Sequence, residues 1–110
     1  MVEEMPEFPG GMEALKAFVK ANLNYPATAL EKGIFGRVAV NFLVAKDGSI
    51  ANAKVKRGVA PSLDTEALRL VKSMPKWKPG KQNGENVEVA YEMPIDFTLP
   101  PNKISKEKLK

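Results

Sequence analysis

Residues 36–57 read GRVAVNFLVAKDGSIANAKVKR. Val38, Val40, Phe42 and Val44 alternate with Ala39, Asn41, Leu43 and Ala45, the period of a strand with one buried face. Asp47-Gly48 follows, and Asp-Gly between alternating runs predicts a hairpin closed by a two-residue type I′ turn. Such a turn sets Val44 opposite Ala51, Phe42 opposite Ala53 and Val40 opposite Val55, with Asn41 meeting Lys54 on the other face. A slip of one residue would put lysines among the valines, so pattern and turn agree. Leu43 and Ile50 fall on the predicted open face, where they are mildly apolar.

Downstream, SLDTEALRLVKSM (62–74) carries Leu63, Ala67, Leu70, Val71 and Met74 at helical spacing. Ser62 is placed to cap it, Asp64 and Glu66 suit the positive end of its dipole, and Pro75 stops it. The longest alternation comes last. Val87, Val89, Tyr91, Met93, Ile95, Phe97 and Leu99 share one face; Glu88, Ala90, Glu92, Pro94, Asp96 and Thr98 share the other. Pro94 cannot donate to a ladder, so this strand belongs at an edge or carries a bulge.

Upstream, Met12, Leu15, Phe18, Val19 and Leu23 mark an amphipathic helix that Asn24-Tyr25-Pro26 breaks. Pro26 suits the start of a short helix, ATALEK, that Gly33 can close. Residues 1–10, with three glutamates and two prolines, read as an extended linker, and residues 100–110 as a basic tail. Residues 11–99 are then one domain. A hairpin, a helix and a further strand thread in few ways, and a right-handed crossover makes the third strand antiparallel to the first. The expected fold is α+β: a three-stranded antiparallel sheet of order second-first-third, with two main helices on its apolar face.

Composition narrows the chemistry. In 110 residues there is no cysteine and no histidine, which removes thiolate sites, disulfides, the commonest general base and the commonest metal ligand. The formal charge of +4 owes most to the last eight residues, KISKEKLK, whose four lysines face one glutamate. That is a solvated tail rather than a nucleic-acid footprint. The most apolar window, IFGRVAVNFLVA, is broken by Arg37 and Asn41 and falls short of the roughly 20 residues a membrane span needs. Residues 2–11 lack the charged and apolar regions of a signal peptide.

No catalytic residue emerges. Ser49, Ser62, Ser73 and Ser105 have no histidine to activate them. Glu88, Glu92 and Asp96 form an acidic stripe along one strand, too sparse for a cation site, so metal and cofactor are both expected to be none. Gly10-Gly11 lacks the lysine and hydroxyl of a phosphate cradle. A nucleic-acid platform needs exposed aromatics and positive charge, whereas Phe42, Tyr91 and Phe97 face the predicted core and the open face of the last strand is acidic. Recognition by strand addition survives, because a long free edge can accept an extended peptide through its backbone.

Residues 74–84, MPKWKPGKQNG, pose a separate choice. Trp77 between Lys76 and Lys78 could stack a ligand or pin the helix to the sheet; the architecture favours the pin, with both lysines reaching to water. Pro79-Gly80 and Asn83-Gly84 then turn the chain into the long strand.

The order of these features resembles the C-terminal domain of the TonB energy transducers. The matching residues are Tyr25-Pro26 with Ala29 and Gly33, then GRVAVNFLVAKDGSI, SLDTEAL, MPKWKPGKQNG and YEMPIDFTL, which together span residues 11–99. VEEMPEFPGGMEAL looks like the Bacteroidetes branch. The resemblance implies a periplasmic domain of an inner-membrane-anchored protein, coupled to ExbB and ExbD through an N-terminal part, with residues 1–10 ending its linker. It implies as partners the TonB-dependent outer-membrane receptors, whose TonB box pairs with the edge of the last strand. Here that edge would be Val87, Glu88, Val89, Ala90, Tyr91, Glu92 and Met93. Enterobacterial members add a contact just before Tyr-Pro, which corresponds to Asn22, Leu23 and Asn24. Tyr25, Pro26, Gly48, Trp77, Pro79 and Gly80 are expected to be structural. The competing expectations are a homodimer through the same edge, or an interaction module fused to a membrane metallopeptidase sensor.

Overall fold

The computed structural model describes residues 3–99; the tail at 100–110 lies outside the described residues, as do Met1 and Val2. The elements are α1 (Gly11–Asn22), α2 (Ala27–Lys32), β1 (Gly36–Val44), β2 (Ile50–Arg57), α3 (Pro61–Lys72), β3 (Gly80–Gln82), β4 (Glu85–Val87) and β5 (Val89–Phe97). The main sheet has the order β2-β1-β5, antiparallel throughout, as the threading argument requires. Val38, Val40, Phe42 and Val44 of β1 and Met93, Ile95 and Phe97 of β5 are buried against Leu63, Ala67, Leu70 and Val71 of α3.

The hairpin departs from its expected register at both ends, with Ala39 opposite Arg57 at the end away from the turn. Val40 does face Val55 and Asn41 does face Lys54, but nearer the turn Leu43 faces Ala51 and Val44 faces Ile50. The cause is the loop. Gly48 has φ +89 while Asp47 stays at negative φ, so the turn is not type I′. The Gly48 N–H donates to the Ala45 carbonyl at 2.8 Å and the Ala45 N–H to the Ser49 carbonyl at 2.9 Å, which makes Lys46-Asp47-Gly48 a three-residue loop. The extra residue is absorbed beyond Leu43, where the register shifts and Asn52 takes φ 50. Each residue of shift reverses the face a side chain occupies, so Ile50 packs against the core instead of the open face.

The type I′ turn lies elsewhere. Asn83 (φ 54) and Gly84 (φ 77) join β3 to β4 with Gln82 opposite Glu85, a second small hairpin absent from the sequence reading. Pro79-Gly80 is therefore no turn. Gly80 is a strand residue, where a Cβ would meet Val89 Cγ2 at 2.7 Å. α3 also starts earlier than expected. Pro61, with φ preset for the first helical turn, begins it after Ala60, so Ser62 sits inside the helix and does not cap it. Asp64 Oδ1 instead accepts the N–H of Val59 at 2.9 Å.

The segment ahead of α1 is a correction too. Residues 3–8 are extended but not a free linker, for they line up on β3. The N–H groups of Glu3 and Glu4 donate to the Lys81 carbonyl (2.9 and 3.0 Å), and Glu7 and Lys78 exchange bonds of 2.9 and 2.7 Å. Phe8 is 7% exposed within the aromatic cluster. An apolar ring next to two prolines gave no periodic signal, and its burial outweighs the polar composition around it.

Trp77 is a pin, as expected, at 3% exposure. Its ring meets those of Phe8, Phe42 and Tyr91 at 5.8, 5.5 and 5.1 Å, each steeply inclined. Its N–H donates to the Gly48 carbonyl at 2.8 Å, tying the β1–β2 loop to the same point. Trp77→Ala should cost about 3 to 5 kcal/mol of stability, by loss of a large buried ring. Gly48→Ala should cost roughly 3 kcal/mol, because a Cβ there would lie 2.0 Å from the Trp77 carbonyl oxygen at a positive φ. Urea unfolding of both variants checks these values; a Gly48→Ala protein as stable as wild type would contradict the close approach.

Candidate functional site

The sheet ends in two edges of different character. β2 carries Lys54, Lys56 and Arg57 as exposed residues and is kinked at Asn52. Charge and a bulge are the usual defences of an edge strand. β5 pairs with β1 without a break from Gly36↔Phe97 to Val44↔Val89 and, among the described residues, has no strand on its other side. Pro94 lies opposite Ala39 in this register. A proline nitrogen has no proton for a ladder, so it belongs on the side away from β1. Backbone groups alternate along a strand, which turns the N–H and C=O of Ala90 and Glu92 to the open side as well.

The expected contact set shifts accordingly. Ala90, Tyr91, Glu92 and Met93 lie on β5 with Val89 at its start. Val87 does not: it belongs to β4, paired with Gly80, and Glu88 links the two strands. The short β3–β4 hairpin takes the first residues of the long alternation, which the pattern alone could not separate from β5.

Beside β5 runs a groove of about 490 Å³, walled on the far side by α1. Leu15, Val19 and Leu23 of the helix look across at Tyr91, Met93 and Ile95 of the strand. Lys16, Lys20 and Asp96 stand on its rim. Met12, read from its spacing as part of the buried stripe, is 57% exposed and lines this groove. The helical period identified the apolar face of α1 but not that part of this face is uncovered.

The acidic stripe is neutralised on the open face. Arg37 Nε donates to Asp96 Oδ1 at 2.6 Å, and Lys56 Nζ to Glu92 Oε1 at 2.8 Å across the width of β1. Both pairs are exposed and contribute little stability. They cancel charge beside the open backbone. The Asp96 contact also holds the Arg37 guanidinium above its ordinary range, chiefly through the hydrogen bond between them.

Of the upstream trio, Leu23 reaches the groove and its neighbours are tied down elsewhere. The Asn22 carbonyl accepts from Arg69 Nη2 at 2.7 Å, and the Asn24 N–H donates to Glu66 Oε2 at 2.7 Å. Glu66 is 8% exposed and takes Arg69 Nε at 2.8 Å. This bracket clamps the end of α1 to α3, a role that reading Glu66 as helix-end electrostatics missed. Tyr25 donates its hydroxyl to the Ile34 carbonyl and meets Phe97 edge-on at 5.7 Å, so Tyr25-Pro26 is structural.

Fold and edge together define a small α+β interaction domain. The chain belongs to the family of Gram-negative bacterial TonB protein C-terminal domains, whose model matches residues 21–99. It is similar to two solution NMR structures of the C-terminal domain of Helicobacter pylori TonB, both 26% identical in sequence. A shorter fragment superimposes with a TM-score of 0.60, covering 79% of this chain and 91% of that one. A longer fragment gives 0.64, covering 81% and 80%. No curated protein sequence matches the chain. In this family the domain is periplasmic and serves as a non-catalytic transducer that interacts with outer-membrane receptors. Among the described residues no group of three or more acidic side chains could hold a metal ion, and no helix is long and apolar enough to cross a membrane.

The Glu66 bracket gives a pH prediction. The Arg69 hydrogen bonds, aided by the Asn24 N–H and opposed by burial, hold the Glu66 carboxyl below its ordinary 4.5. A carboxyl depressed in the folded state contributes stability above its unfolded value and loses it as pH falls through the folded value. Stability should therefore decline below about pH 4.5, and Glu66→Gln should shrink the acid-side loss while costing roughly 1 to 3 kcal/mol near neutrality. Thermal melts of both proteins across the acid range measure this.

Proposed function

We propose that this domain captures an extended segment of an outer-membrane receptor, the TonB box, by adding it as a fourth strand beside β5. The observation that supports this reading most is the open side of β5 facing a ready apolar groove, in a family of receptor-binding domains. The backbone groups of Ala90 and Glu92 offer four hydrogen bonds ahead of Pro94, a gross gain of roughly 2 to 6 kcal/mol. Alternate side chains of the added strand drop into the groove between Val19 and Met93. Pro94 ends the donor row, which fixes how far the segment can run. Capture of this strength is reversible, as a component that engages many receptors in turn requires.

In the parent protein an inner-membrane anchor and its ExbB and ExbD partners would supply force from the proton gradient, with this domain as the grip at the outer membrane. That coupling needs chain outside residues 1–110.

A short synthetic peptide from the plug segment of a receptor of the same organism tests the grip. In an NMR titration the amides of Ala90, Glu92 and the residues flanking them should shift, and those of β2 should not. Ala90→Pro removes one outward donor and blocks the approaching strand; it should weaken the peptide roughly tenfold or more while the domain stays folded, since an outward proline is tolerated at an edge. Concentration-dependent self-association through β5 with no peptide response would favour a dimer module instead.

A further inference from the structure

The residues ahead of α1 do more than complete the small sheet. Residues 3–8 pair with β3 through the Glu4–Lys81 and Glu7–Lys78 contacts, and Glu3 Oε1 accepts the Asn83 N–H at 2.6 Å. The chain then turns at Gly10 and Gly11, both at positive φ, and enters α1 with the Gly11 N–H donating to the Phe8 carbonyl at 2.7 Å. Phe8 lies against Phe18 of α1 at 5.5 Å and Trp77 at 5.8 Å, and Trp77 lies against Tyr91 at 5.1 Å. Tyr91 is a wall of the groove.

α1 needs this support. Leu15 is its one buried side chain among the described residues. Its C-terminal end is clamped by the Asn22–Arg69 and Asn24–Glu66 bonds, and it meets Phe8 at two further points, the Phe18 ring and the Gly11 N–H. We infer that residues 3–8 are a strap that holds α1 over β5 through Phe18 and the Gly11 N–H, so that the groove keeps its helix wall only while the strap is docked. Peeling the strap from β3 withdraws Phe8 from Phe18 and Trp77, frees α1 to lift about its clamped end, and weakens whatever strand lies in the groove. The lead-in to the domain thereby regulates the edge at its far side. The effect on bound peptide rests on the strand-capture reading above; the mounting of α1 does not.

Amide exchange in the full chain decides the matter. In Phe8→Ala the amides of residues 15–19 should exchange at least about tenfold faster, while those of residues 38–44 and 67–71 change by less than about twofold. Acceleration of all three regions together, or none at 15–19 in a folded Phe8→Ala protein, overturns the inference. A second variant covers failure to fold. Glu4→Cys with Lys81→Cys introduces the only cysteines into a chain that has none, at bridge partners whose Cα atoms stand about 5.5 Å apart, within disulfide reach. Oxidation should slow exchange at 15–19 selectively, and equal exchange in both redox states counts against the strap. The receptor peptide should bind the oxidised form more tightly than the reduced one; equal affinity removes the regulatory claim. If wild type binds no peptide, strand capture falls, and the exchange result still decides how α1 is mounted.

Discussion

One contact organises this domain: the Trp77 indole seated among Phe8, Phe42 and Tyr91, with its backbone N–H bonded to Gly48. Five pieces of chain meet there: the strap, β1, β5, the β1–β2 loop and the segment leaving α3. Inclined aromatic pairs contribute about 0.5 to 1.5 kcal/mol each beyond their burial. Against this, the Trp77 Nε1–H is buried with no hydrogen-bond partner among the described residues, at a cost of roughly 1 to 3 kcal/mol. The burial of so large a ring exceeds that cost. The cations flanking Trp77 in sequence are incidental to it: Lys76 reaches Asp47 at 3.6 Å, and the Lys78 backbone serves the strap.

How far the sequence discloses this fold depends on the length of each pattern. Nine-residue strands such as β1 and β5 repeat their alternation often enough to fix face and partner, and they lie where the period places them. The loop between β1 and β2 was legible as a turn but not as a three-residue one, since Asp47-Gly48 suits both and the difference is a single φ at Asp47. That one residue explains both the bulge near Asn52 and the reversal of Ile50. The three-residue strands β3 and β4 have too few residues to show a period. Phe8 and Met12 were illegible for opposite reasons. One apolar residue among prolines is buried by distant aromatics, and one residue of a regular apolar stripe lines a groove beside β5.

The two sheet edges show how one topology can hold a defended strand and an inviting one. Both edges present unpaired backbone groups, the usual seed of aggregation. β2 answers with lysines, an arginine and a bulge. β5 answers with Pro94 alone, which cuts the donor row without closing it. The ion pairs of Glu92 and Asp96 leave the stretch before Pro94 close to neutral, and the groove beside it is apolar. An edge left flat, neutral and flanked by apolar surface is costly to keep unless something occupies it, which is the physical case for a ligand strand there.

The energetics of that occupant set a scale for the strap. Its contacts with Lys78 and Lys81 comprise five backbone hydrogen bonds, close in number to the four that Ala90 and Glu92 can give a captured segment. Burial of Phe8 adds roughly 1.5 to 3 kcal/mol. On the strand-capture reading, strap and added strand would be held by similar free energies, each a few kcal/mol. On that reading both elements bear on Trp77, the strap through Phe8 and the added strand through Tyr91. Docking of one would then favour docking of the other, and peeling the first would weaken binding of the second by the same factor. On the strand-capture reading, such a domain would release its ligand when pulled from its own lead-in before the core of β1, β2 and α3 is disturbed.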